Sequence, residues 1–149
     1  MSVWKPSATV AAVIEHDGRF LLVEEPVDGR RVLNQPAGHL DPGESLVAAC
    51  RREVLEETAH RFEPTALVGI YRWHYAPADV TFLRFCFRGR IEGVEDRALD
   101  PQIAALHWLT REELLARRTE HRSPLVQRCV DDYLAGRQFA LDIFPAEYA

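Results

Sequence analysis

The chain has 149 residues, 47% of them apolar and 28% charged, and its 18 basic and 23 acidic side chains leave a formal charge of -5. This length suits a single domain over residues 1–149 with one sizeable core, and the composition excludes disordered, collagen-like and disulfide-stapled chains. So mild an acidity argues against a nucleic-acid polymer as partner, which would need a basic face, but leaves metal-bridged phosphate binding open.

From the N-terminus, Met1 to Pro6 shows no basic region followed by an apolar run, and the apolar stretch Val10 to Ile14 is far shorter than a membrane span. A cytoplasmic protein that does not touch a membrane is expected, as a monomer or homodimer. Ala8 to Glu15 and Phe20 to Glu24 read as strands joined through the turn His16-Asp17-Gly18-Arg19, so a hairpin is expected. A short extended piece follows around Arg31 to Leu33. Asn34 to Gly43, with two prolines and two glycines, reads as a loop.

Ser45 to Thr58 reads as a helix, because Leu46, Val47, Cys50 and Val54 recur at three- and four-residue steps as one apolar stripe. Leu67 to Tyr75 and Val80 to Ile91 read as strands around the turn Ala76 to Asp79, with a further strand at Ala104 to Leu109. Thr110 and Glu113 make a capping-box pattern for a helix ending near Arg118, and Ser123-Pro124 opens a last helix that Gly136 ends. Strands surround the helices without regular alternation, which predicts an α/β (α+β) fold: a mixed sheet covered by helices as an α/β/α sandwich. Cys50, Cys86 and Cys129 have no disulfide or zinc spacing and are expected as reduced, half-buried thiols.

The chemistry concentrates in the helix. Glu53 and Glu57 stand four residues apart, on one face and beside the apolar stripe; Glu56 flanks them, and Arg52 precedes Glu56 by four. Like charges at this spacing repel, and a hard divalent cation reverses the sign of that interaction because carboxylate oxygens are ligands it prefers. A solvated charged face, neutralised by Arg51 and Arg52, is the competing explanation.

The segment Gly38 to His60 resembles the signature of the Nudix hydrolases, in which Gly38, Glu44, Arg52, Glu53, Val54, Glu56 and Glu57 all fall in register. Ala59 departs from it where the family has glycine, and His60 where it has an aliphatic residue. Leu33 to Leu40, Phe82 to Phe85 and Arg122 to Val126 extend the similarity toward the NudJ-type phosphatases of that family. The resemblance implies the Nudix α/β/α fold and Mg²⁺-dependent hydrolysis (Mn²⁺ as substitute) of small nucleoside di- and triphosphates or thiamine-pathway pyrophosphates. It implies metal ligation by Glu53, Glu57, Glu56 and the Gly38 carbonyl, with Glu53, Glu56 and Arg52 catalytic. Glu44 is expected either as a helix-capping residue or as a direct catalytic acid.

Gly38, His39 and Arg84 are the candidate substrate-binding residues; Arg84 alternates with Leu83 and Phe85 on a strand and so faces the opposite side. The acidic group Glu92, Glu95, Asp96 and Asp100 is expected to be a solvated loop, and Trp73, His74 and Tyr75 to be core aromatics rather than a stacking surface. A Nudix-fold sensor that binds a nucleotide without cleaving it is the alternative function. The intact Arg52-Glu53 and Glu56-Glu57 pairs speak against it.

Overall fold

The computed structural model of the protein describes residues 2–148. Its centre is β1 (Ser7–Val13), which lies parallel to β7 (Val80–Val94) on one side and antiparallel to β5 (Ala37–His39) on the other. β6 (His60–Tyr75) pairs antiparallel with β7, and β9 (Phe139–Ala140) adds the edge, giving the order β5-β1-β7-β6-β9. A second sheet joins β2 (Glu15–His16), β3 (Arg19–Val27), β4 (Arg30–Asn34) and β8 (Ala105–Thr110), all antiparallel.

The apolar run Val10 to Ile14 explains where β1 sits. A strand with both faces covered needs no alternation of polar residues. Val10, Ala12 and Ile14 enter one core cluster, with Ala49, Cys50 and Val54 of α1 (Leu46–Thr58). Ala11 and Val13 enter the other, with Leu114 of α2 (Arg111–Ala116) and Val126, Cys129 and Val130 of α3 (Leu125–Leu134). Helices therefore cover both faces of the mixed sheet, the expected α/β/α arrangement. No helix among the described residues is long and apolar enough to cross a membrane.

Three expectations change. β1 forms no hairpin with β3; the chain leaves the first sheet after Val13, and the turn at Asp17-Gly18 instead joins the two-residue β2 to β3. The segment 34–43 is not a continuous loop, because Ala37, Gly38 and His39 pair with β1. All three cysteines are free and fully buried rather than half-buried, their small apolar side chains filling both cores. The capping box of α2 forms as expected, with Thr110 and Glu113 bonding each other's backbone N–H; that helix stops at Ala116, and residues 118–120 follow as a short 3-10 turn.

Candidate functional site

The helix α1 begins at Ser45, whose hydroxyl accepts from the Ala48 N–H at 3.0 Å. Glu44 is thus not its cap. Instead Glu44 takes a two-pronged bond from Arg52, Nε at 2.6 Å and Nη2 at 2.9 Å, which holds its carboxyl below the usual range. The same guanidinium reaches Glu53 at 2.7 Å, Glu56 at 3.3 Å and the His39 carbonyl at 2.9 Å. Arg52 therefore ties β5, the loop before the helix and three acids into one network, with Glu44 rather than Glu56 as its main partner.

Gly38 owes its place to space. It pairs with Val10 in β1, and a Cβ added to it would fall 2.1 Å from the Glu53 carboxyl carbon. Any larger residue would push Glu53 aside. Burial raises the Glu53 carboxyl above its ordinary range even with Arg52 beside it.

Glu57, one turn further on, is only 3% exposed. Its Oε1 accepts from the Ala37 N–H at 2.9 Å, and among the described residues no basic side chain bonds it. Desolvation, aided by the nearby negative charges of Glu25, Glu53 and Asp100, pushes its pKa up to about 9. A group so shifted keeps its proton at neutral pH unless a cation comes to lie beside it.

Asp100 was expected in solvent, and this is corrected. Its N–H bonds the Glu56 carbonyl at 2.9 Å, near the helix end where carbonyls lack helical partners. One carboxylate oxygen each from Glu53, Glu56 and Asp100 lies within 4.8 Å of the others. The rest of that acidic group stays apart: Glu92 is part of β7 and exposed, the Glu95 N–H bonds the Ala59 carbonyl at 2.7 Å, and Asp96 is exposed. Ala59 closes the helix in a left-handed conformation, φ 59°, the geometry for which the usual glycine is suited. His60 begins β6 and bonds the Thr58 carbonyl through its ring nitrogen.

Glu53, Glu57 and Asp100 line one side of a cleft of about 410 Å³. Arg84 lines another part, only 6% exposed. Its two terminal nitrogens bond neutral amide oxygens, Gln35 at 2.8 Å and Asn34 at 2.9 Å, and among the described residues no carboxylate lies within ion-pair distance. Arg122 and Glu25 also line the cleft. Burial raises the Glu25 carboxyl, while the positive charge of Arg122, a bond with Asn34 and the charge of Arg84 oppose that rise.

His39 is exposed at the mouth, its ring 6.3 Å from that of Phe82. Trp73, expected in the core, is half-buried and faces the cleft with Phe82. His74 is exposed and bonds Asp79, while Tyr75 donates to Asp28. Asp100, Glu25, Arg122 and Trp73 thus join the residues expected from the helix. Of these four, the sequence pattern puts Asp100 in a solvated loop and Trp73 in the core; Arg122 opens a segment of family resemblance, and Glu25 carries no spacing signal.

The comparisons with known proteins agree with this geometry. The NUDIX domain family model matches residues 4–129. Phosphatase NudJ of Escherichia coli strain K12 is 37% identical over 142 residues, 95% of this chain and 92% of that protein. Its counterpart in Shigella boydii shows the same identity and coverage. The structure of a NUDIX hydrolase from Nitrosomonas europaea is 52% identical with a TM-score of 0.90, covering 93% of this chain and 95% of that one. A family model spanning residues 4–129, relatives matched nearly end to end, and an acid-lined cleft fed by the Gly38 to Glu57 segment lead to one assignment: the chain belongs to the Nudix hydrolases.

Proposed function

We propose that this hydrolase of pyrophosphate bonds acts, with a divalent cation, on small di- and triphosphates carrying a heteroaromatic group, such as nucleoside phosphates or thiamine-pathway pyrophosphates. Mg²⁺ is the expected ion, with Mn²⁺ as substitute. The observation that carries this is Glu57: a buried carboxylate among further acids, with no basic partner among the described residues. Oxygen-only donors suit a hard cation, and Gly38 leaves Glu53 room to present its carboxylate.

In this assignment Glu53, Glu56 and Glu57, with Asp100 added and the Gly38 carbonyl as a further donor, hold the ion. A divalent cation there would supply neutralisation of phosphate oxygens and acidification of a bound water. The chain's own residues do the remaining work. Arg52 keeps Glu53 and Glu56 oriented through Nη1, at 2.7 and 3.3 Å. Glu56, more exposed than Glu57, either takes the proton of the attacking water or holds a second ion. Arg84, whose immediate partners are neutral, offers its charge to a phosphate, and His39 flanks the entrance.

The test is hydrolysis of a panel of nucleotides, nucleotide sugars, dinucleotides and thiamine phosphates, with released phosphate and pyrophosphate resolved. Activity should vanish on exhaustive chelation and return with Mg²⁺ or Mn²⁺. Full-rate turnover without any divalent ion would reject the site, and a strict demand for long dinucleotides would reject the substrate class.

A further inference from the structure

Part of the cleft wall is built of aromatic rings and one guanidinium. Trp73 and Phe82 are cross-strand partners of β6 and β7, and their rings stack at 5.9 Å with an angle of 15°. Tyr75 lies beside Trp73 at 5.4 Å, its hydroxyl bonded to Asp28. Over these rings stands Arg122, its guanidinium carbon 4.5 Å from the centre of Tyr75, 5.4 Å from Trp73 and 5.8 Å from Phe82.

Arg122 is placed by its backbone rather than by chance of rotamer. Its N–H bonds the Leu33 carbonyl at 2.8 Å, His121 forms a bridge with Leu33, and Ser123 beside it is buried. The residue is thereby set between β4 and the start of α3, with Trp73, Phe82 and Arg122 all lining the cleft.

Aromatic faces attract cations, and a cation already resident there removes that attraction for a second one. A ring entering beside Trp73 and Phe82 meets apolar faces and a positive neighbour. The acids nearest this wall are engaged: Asp28 takes the Tyr75 hydroxyl, and Glu25 lies in the fields of Arg122 and Arg84. A neutral, planar, acceptor-rich ring can stack and also accept hydrogen bonds from the guanidinium. A ring carrying its own positive charge gains neither and is repelled.

We propose that Arg122, held on the Trp73/Phe82/Tyr75 aromatic wall, is the specificity-determining residue that makes the cleft select phosphates bearing a neutral heteroaromatic ring over those bearing a cationic one. This deepens the proposed function and rests on the cleft being its substrate site. Uridine diphosphate, with a neutral ring, and thiamine diphosphate, with a cationic thiazolium joined to a neutral aminopyrimidine, are the two probes, with ring-free tripolyphosphate to normalise effects on the phosphate end.

The wild-type protein should favour uridine diphosphate in kcat/KM. Arg122→Leu, which keeps aliphatic bulk on the rings, should move the ratio toward thiamine diphosphate by about tenfold, and Arg122→Lys should leave the preference standing. Melting temperatures check that each variant folds. A wild-type preference for thiamine diphosphate, or an Arg122→Leu loss shared equally by all three compounds, would overturn the proposal. Should the wild-type protein cleave none of them, the proposed substrate class falls instead. The ratio of dissociation constants for the two diphosphates, by calorimetry on the chelated protein, then decides the ring selection by itself.

Discussion

One helix carries two acidic regions that are treated in opposite ways. Around Glu44, Glu53 and Glu56, a single guanidinium reaches every carboxylate, so each acid has a basic partner within the protein although one positive charge does not balance three. One turn later, Glu57 is more deeply buried and receives only a peptide N–H. Burial of acids is tolerable in the first region because Arg52 is there. In the second it is costly unless something arrives from outside. The contrast teaches that Arg52 orients the acids it reaches, while Glu57, which no basic side chain reaches among the described residues, is the acid most in need of an outside cation under the proposed function.

Breaking the unmatched side should give the largest effect. Glu57→Gln keeps the shape and removes the charge; turnover should fall by about 10² to 10³, the equivalent of roughly 3 to 4 kcal/mol of lost transition-state stabilisation. Without metal, the same variant should melt at or above the wild-type temperature, since the folded protein no longer has to take up a proton at Glu57 near neutral pH. A control, Glu63→Gln, touches only the exposed Arg51 pair and should leave the rate unchanged. Near-normal turnover in Glu57→Gln would mean the helix is simply an acidic face.

Breaking the matched side should cost stability first. Arg52→Gln strands three acids, and about 2 kcal/mol of folding stability should be lost, read as a drop of a few degrees or more in melting temperature. Adding Glu44→Gln to that variant should recover part of the loss, because Glu44 is the strongest partner. If the double variant melts lower still, the network is not held together by that pair.

A smaller effect sharpens the exit of the helix. Ala59 sits at φ 59°, so Ala59→Gly should stabilise the protein by up to about 1 kcal/mol, seen in the melting temperature while the rate holds. An unchanged or lower melting temperature would show that no strain resides there.

The smallest expected effect lies next to the cleft wall, at His121 beside Arg122. Burial keeps its pKa below 6.5 although its Nε2 meets the Leu114 carbonyl at 2.9 Å. The unfolded chain binds its proton more readily than the folded one, so stability contributed by the neutral ring is intact above pH 6.5 and declines as pH falls below it. Denaturant melts between pH 7.5 and 5.5 should show that slope reduced in His121→Gln. An identical slope would place the titrating group elsewhere.

The legible part of the site was the part written locally. Seven positions from Gly38 to Glu57 lie within one strand, one loop and one helix, so fixed spacing carries their geometry into the fold. Asp100, Trp73, Arg122 and Glu25 reach the same cleft through long-range pairing, and no periodicity links them to α1. Gly38 looked like a loop residue because a three-residue strand bounded by prolines and glycine has no pattern to detect. The expected hairpin is cut short for a similar reason: Glu15 pairs with Phe20 across the turn at Asp17-Gly18, but the sheet change at Ile14 is decided by which partners cover both faces of β1.

The parallel pairing of β1 with β7 also sets when the protein becomes competent. The bond from Arg84 to Asn34 spans 50 residues of chain, and β1 must settle between strands drawn from both halves of the sequence before the cleft has a floor. Contacts of such separation form slowly compared with a local helix. During refolding, α1 can therefore acquire its helical signal while the carboxylates still lack the Ala37 N–H and the opposing wall. Recovery of phosphate release should lag behind recovery of helicity, and the interval between them times the insertion of one strand.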